Sequence, residues 1–358
     1  MRALTKLCLT SCLLASCLVA LLGISTTTFA QRYSQTNLVS DMPGVAAVTD
    51  PNLVNPWGIS FSPTSPFWIA DNGTGLSTLY TGDGSIVPLV VTIPPPDGST
   101  DTSKPTGTVF NSTPNFVVSE GGVSGPSAFL FSTEDGTISG WNPTVDLMHA
   151  VLAVDNHALG SIYKGMASAN TIKGSFLYVT NFHDGSVEMY DSNFQLVKSI
   201  TDVDLPPGFA PFGIRNIKGK LYVTFAKQDA DKKDDASGAG RGFVDVFDIH
   251  GNKLSRLISH GALNSPWGLA LAPANFGKFS NALLVGNFGN GRINAYDRTS
   301  GAFLGALLDA NGKAISIDGL WAIAFRSGKA AGHKNALFFT AGPDDETHGL
   351  FGELQAIQ

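Results

Sequence analysis

Beyond its first 30 residues the chain has no cysteine, since Cys8, Cys12 and Cys17 account for all three. That excludes disulfides, thiolate metal sites and a cysteine nucleophile from the body of the protein. A core of this size needs no covalent staples. Charge is scarce as well: Asp, Glu, Lys and Arg make up 15% of the chain, and the formal net charge is −6. With no basic stripe to meet a phosphate backbone, nucleic acid is excluded as a partner. Also missing are a Gly-x-Ser-x-Gly elbow, a His-Glu-x-x-His pair, a phosphate loop and a dinucleotide fingerprint. No segment of the body shows the 3.6-residue apolar period of an amphipathic helix.

The one long apolar run is at the start. Arg2 and Lys6 precede Leu7–Ile24, and Thr28-Phe29-Ala30 follows with small residues where a signal peptidase reads. This is the pattern of a secretory signal, residues 1–30, cleaved after Ala30. Its removal takes the net charge from −6 to −8 and leaves residues 31–358 as a secreted or periplasmic chain with no membrane insertion. Two other readings are a retained anchor, near the lower length limit for a span, and lipid anchoring at Cys17 in Leu14-Ala15-Ser16-Cys17. The second would leave the apolar Leu18–Ile24 to begin the mature chain, so simple cleavage is preferred.

What the body has in plenty is punctuation, with 40 Gly and 19 Pro in the chain. An anchor recurs six times: Pro56-Trp57-Gly58, Pro105-Thr106-Gly107, Tyr163-Lys164-Gly165, Pro211-Phe212-Gly213, Pro266-Trp267-Gly268 and Leu320-Trp321-Ala322. The spacing of roughly 50 residues suits a four-stranded blade. After most anchors comes a β-rich run, a polar glycine turn and a returning run, as in Leu177-Tyr178-Val179-Thr180-Asn181-Phe182-His183-Asp184-Gly185. Asp-Gly and Asn-Gly between such runs are strong hairpin signals. The expected fold is therefore all-β: one six-bladed β-propeller of four-stranded antiparallel blades over residues 31–358. The sixth blade lacks a fourth strand, and Tyr33–Val39 is expected to supply it and close the ring, removing exposed edges. A monomer is expected.

Several segments resemble a family of secreted bacterial six-bladed propellers with no assigned activity. They are Asn37-Leu38-Val39-Ser40-Asp41, Leu53-Val54-Asn55-Pro56-Trp57-Gly58, Thr133-Glu134-Asp135-Gly136-Thr137-Ile138-Ser139-Gly140-Trp141, Ala226-Lys227-Gln228-Asp229-Ala230-Asp231-Lys232 and Gly242-Phe243-Val244-Asp245-Val246-Phe247-Asp248. The resemblance spans nearly the whole mature chain and implies the fold, not a reaction. More distantly the blades are similar to NHL-type propellers and to gluconolactonase-like enzymes, though the latter's metal-binding motif has no match here.

A propeller usually meets ligands on the face built from the anchors and the polar turns. These bring Asn55, Trp57, Asp71, Asn72, Glu134, Asp135, Lys164, Asn181, His183, Asp184, Phe212, Trp267, Asn287, Asn290 and Trp321 to one rim. Asn55, Trp57, Asp71, Asn72, Glu134, Asn181, Phe212, Lys227, Trp267, Asn287 and Trp321 form the candidate ligand-binding set. Aromatic platforms among amides and carboxylates suit a polar small molecule, a glycan or a protein partner, or a hard cation such as Ca²⁺. Each also has a bland reading, as a turn former or a packing residue. No cofactor is required. If a cation binds, its candidate ligands are Asp71, Asn181 and Asn287, or Asp229 and Asp231 in the long blade-four insertion Lys227–Arg241. That insertion reads either as a solvated loop or as a lid. His183 and Asp344, in the turn Gly342–Gly349, are the candidate proton-transfer groups. Two functions follow: a binding propeller, or a calcium-type hydrolase or lactonase with its site in the channel mouth.

Overall fold

A computed structural model describes residues 31–326, 333 and 335–357. The export segment 1–30, with the cleavage and lipidation sites assigned to it, lies outside the described residues. Each anchor opens the innermost strand of a blade, and the alternating runs behind it fold outward as a meander. The inner strands are Pro56–Ser60, Pro105–Phe110, Tyr163–Thr171, Phe209–Ile217, Pro266–Leu271 and Leu320–Phe325. Five blades run in sequence order through four antiparallel strands. In blade three, for example, Tyr163–Thr171, Gly174–Asn181, Ser186–Tyr190 and Leu196–Ile200 follow one another outward. The architecture is the expected six-bladed propeller.

The sixth blade takes its fourth strand from the other end of the chain, and the two-residue strand Val48–Thr49 pairs parallel beyond it. Arg32–Ser40 pairs antiparallel with Leu350–Ile357, from Arg32 opposite Ile357 to Ser40 opposite Leu350. Tyr33, Leu38 and Val39 of this strand are buried. The Tyr33 ring lies 4.8 Å from that of Phe276 in blade five, and its hydroxyl donates to the Phe276 carbonyl at 3.1 Å. Apolar side chains fill the spaces between blades. Phe67, Tyr80, Phe338 and Phe351 share one such cluster where blades one and six meet.

The anchor glycine has a steric cause. A Cβ on Gly213 would stand 2.1 Å from the carbonyl oxygen of Trp267 in the next blade, and one on Gly268 2.6 Å from that of Trp321. Neighbouring inner strands approach so closely around the axis that only hydrogen fits. Backbone cannot yield as a side-chain tip can. Gly213→Ala is therefore expected to destabilise by about 1–3 kcal/mol or more. Thermal unfolding checks this, and an unchanged melting temperature would contradict the steric account.

Two parts of the chain leave the regular plan. Val117–Glu120 and Val123–Pro126 form an extra hairpin within blade two. The blade-four insertion is itself folded: Asp229 N–H donates to the Asp234 carbonyl at 2.8 Å, and Gln228 Nε2 to the Phe182 carbonyl of blade three at 2.6 Å.

Candidate functional site at the channel mouth

The second anchor position places one side chain from each blade near the axis: Trp57, Thr106, Lys164, Phe212, Trp267 and Trp321. The aromatic members pack on one another. Trp57 and Trp321 are stacked with centroids 3.5 Å apart, and Trp267 meets both edge-on at 6.1 and 5.8 Å. Phe212 joins Trp321 edge-on at 5.9 Å. These rings fill the axis. The odd member is Lys164, whose ammonium lies 5.1 Å from the Trp57 ring centroid, within cation–π range.

A buried ammonium needs anionic partners. Lys164, 1% exposed, bonds Glu134 Oε1 from the blade-two turn and Asp234 Oδ1 from the blade-four insertion, the latter at 3.1 Å. Burial alone would lower its pKa, but the two carboxylates outweigh burial and hold it above its ordinary value. The network continues around the mouth. Asn72 Nδ2 donates to Glu134 Oε2 at 2.9 Å, and Asn55 Nδ2 to Glu346 Oε2 at 2.6 Å. Trp321 Nε1 donates to Asn55 Oδ1 at 3.1 Å. Blades one, two, three, four and six thus contribute to one polar cluster over the aromatic stack.

Glu346 is the titratable member. Burial pushes its carboxyl up first, and the negative charges of Glu134 and Asp234 add to this. The Asn55 amide and the Lys164 ammonium oppose, and the result is about 7. A carboxyl at that value exchanges its proton near neutrality. Its backbone is held in an unusual way. Asp344, Asp345 and Glu346 take φ of 54°, 53° and 65° in succession, as does Asn55 at 46°. Left-handed non-glycine residues cost on the order of 1–3 kcal/mol each and cluster at functional sites. The turn is clamped by the closing strand. Asp41 accepts from Gly349 N–H and from His348 Nδ1, both at 2.8 Å.

Of the candidate ligand-binding residues, Asn55, Asn72 and Glu134 meet in this cluster, and Trp57, Phe212, Trp267 and Trp321 form its buried floor. Asp71, Asn181 and Asn287 are not brought together. Each is fully buried at the end of its blade's second strand and is spent on its own hairpin. Asp71 Oδ2 accepts from Thr78 N–H at 2.9 Å, and burial, reinforced by Asp50, pushes its carboxyl well up in pKa against the Thr78 hydrogen bonds. Asn181 Nδ2 donates to Glu188 at 2.8 Å, and Asn287 Nδ2 to the Ala262 carbonyl at 2.8 Å. Asp229 Oδ1 caps Lys233 N–H within the insertion, and Asp231 is exposed. Among the described residues no three His, Asp or Glu side chains are placed to share an ion.

Lys227 extends its ammonium to the Pro207 carbonyl at 3.1 Å and over the Phe209 ring, among residues that open blade four. His183 pairs with Asp184 at 3.0 Å, both side chains more than a third exposed. Asp344 is exposed, its N–H donating to Asp318 at 3.0 Å. Two residues along, Glu346 is the member of this turn that reaches the cluster. The sequence reading gave Glu346 no role, and it placed Lys164 on the rim without assigning it chemistry. The signal for Lys164 was there: at the second anchor position it is the only charge among four aromatics and a threonine.

No family model matches the chain. It is 34% identical over 326 residues to uncharacterized protein R648 of Acanthamoeba polyphaga mimivirus, covering 88% of this chain and 78% of that one. It is 33% identical over 326 residues to uncharacterized protein L690 of the same virus, covering 88% and 84%. Among solved structures, a streptogramin B lyase superposes with a TM-score of 0.53 at 12% identity, over 91% of this chain and 98% of the lyase. The soluble aldose sugar dehydrogenase of Escherichia coli does so with a TM-score of 0.50 at 11% identity, over 91% and 100%. At such identities the likeness is one of fold alone.

Proposed function

The chain belongs to the same family as the mimivirus proteins R648 and L690, and from that premise we propose that it acts on a polar small molecule at the channel mouth. In this reading Glu346 is the group that moves a proton, and Lys164 is a fixed positive charge beside it. One observation carries the proposal. A buried lysine on the propeller axis, held by carboxylates from two other blades, stands next to a carboxyl poised near neutral pH. Buried titratable groups with shifted pKa values, gathered in one place on strained backbone, are the mark of a site rather than of a scaffold.

The blade-four insertion fits a lid. Its Asp234 covers Lys164 while its own side chain is 61% exposed, so the pair can open to admit a ligand. Sugars, sugar acids and their lactones have the hydroxyl and carbonyl groups such a cluster would bind. The calcium reading weighed from the sequence would draw on Asp71, Asn181 and Asn287, whose side chains are bonded within their own blades, or on Asp229 and Asp231 of the insertion.

The test is Glu346→Gln, which copies the protonated carboxyl. The folded pKa of Glu346 lies above its unfolded value of 4.5. The stability contributed by its protonated form is therefore complete below about pH 4.5 and lost as pH rises through about 7. Glu346→Gln and wild type are expected to melt alike at about pH 4.5, and the variant to melt higher at about pH 8. In a thermal-shift screen of sugars, sugar acids and lactones, stabilisation of the wild type should change across pH 7 and that of Glu346→Gln should not. Parallel pH profiles for the two proteins would remove Glu346 from the proposed role.

A further inference from the structure

Below the aromatic stack the channel opens again. The later residues of all six inner strands enclose a cavity of ≈360 Å³, with Trp267 at its inner end. This volume is near the lower end of the range for small-molecule sites. Its lining is backbone, aliphatic side chains and the polar Ser60, Thr108, Ser168 and Asn216, together with one charged residue, Arg215.

Arg215 is unanswered. Burial alone acts on its pKa, downward, and no carboxylate lies near enough to oppose that. Among the described residues no Asp or Glu pairs with it. Two other guanidinium groups have protein partners: Arg256 bonds Asp245 at 3.0 Å and also reaches Asp202, and Arg326 bonds the Ser62 and Ser65 carbonyls. The Thr108 hydroxyl, lining the same cavity, is buried without a hydrogen-bond partner. Arg215 is partly accessible, so its donors face the cavity rather than a protein acceptor, and an oxyanion can take that place beside the unpartnered Thr108 hydroxyl.

We propose that this cavity is a second site, separate from the mouth, that binds a small oxyanion on Arg215 with help from the Thr108 hydroxyl. The guanidinium offers two parallel N–H donors in the geometry that carboxylate, sulfate and phosphate accept. The anion is either free or the acidic group of a larger molecule entering from the end of the channel away from Glu346.

The experiment uses sulfate, acetate and selenate as probes on the intact mature chain. Sulfate or acetate is expected to raise the wild-type melting temperature more than chloride at equal ionic strength, as a ligand that binds only the folded state must. Arg215→Met should fold, melt no lower than wild type without anion because an unpaired cation is gone, and lose at least about tenfold in anion affinity. If Arg215→Met does not fold, Arg215→Lys replaces it, and loss of the fork should still weaken binding about fivefold or more. Selenate diffused into crystals should give an anomalous peak beside Arg215. A response to acetate but not sulfate identifies a carboxylate site, and the reverse a tetrahedral one. No anion-specific shift in wild type, an equal shift in the Arg215 variant, or no selenate at Arg215 would overturn the proposal.

Discussion

Lys164→Met is expected to lower the stability of the protein by about 3–5 kcal/mol, the cost of leaving a buried carboxylate without its partner. Side-chain exposures of 1% for Lys164 and 10% for Glu134 set the scale. A pair on the surface would be worth about 0–1 kcal/mol. Glu134→Gln in the same chain should restore much of the loss, because the orphaned charge is then removed. A double-mutant cycle in urea measures the coupling directly. The rescued protein should remain unable to bind a mouth ligand, which separates Lys164's structural role from its functional one. A loss below about 1 kcal/mol for Lys164→Met would mean that the ammonium is hydrated and the cluster open.

Deleting residues 31–40 is expected to prevent stable closure of the propeller and to promote aggregation. The strand buries Tyr33, Leu38 and Val39, worth about 1.5–3 kcal/mol apiece, together of the order of a typical domain's whole stability. Its removal also bares Leu350–Ile357 as an unpaired edge, a template for pairing between chains. Gel filtration should show aggregate or oligomer, and circular dichroism a broadened or absent transition. A monomer with unchanged melting would show that ring closure is dispensable. The deletion also cuts the strand that leads into Asp41, which bonds Gly349 and His348 of the Glu346 turn.

The propeller was legible in the sequence because its cause is periodic. Six anchors and their hairpins repeat the same steric and turn requirements, so each copy confirms the others. The closing strand was legible by arithmetic, since Tyr33–Val39 had no other place to pair. The site was legible only as a rim. Asp71, Asn181 and Asn287 recur at matching positions, but recurrence in a repeat marks what every blade needs, here a hairpin tie. The polar cluster sits where the repeat is broken. Lys164 interrupts the aromatic series, Glu346 follows two left-handed aspartates, and Asp234 lies in an insertion found in one blade. Arg215 escaped notice because one residue in an apolar strand gives no periodic signal, and its lack of a partner is a three-dimensional fact.

The pairing of Arg32 with Ile357 also sets a clock. The first strand to be made waits for the last, and at about 5–20 residues per second the interval is roughly 15–65 s. Until then the ring has a gap and the turn bearing Glu346 does not exist. A nascent or truncated chain therefore has no assembled cluster at the channel mouth. Support of the cluster thus depends on strands drawn from both ends of the propeller domain.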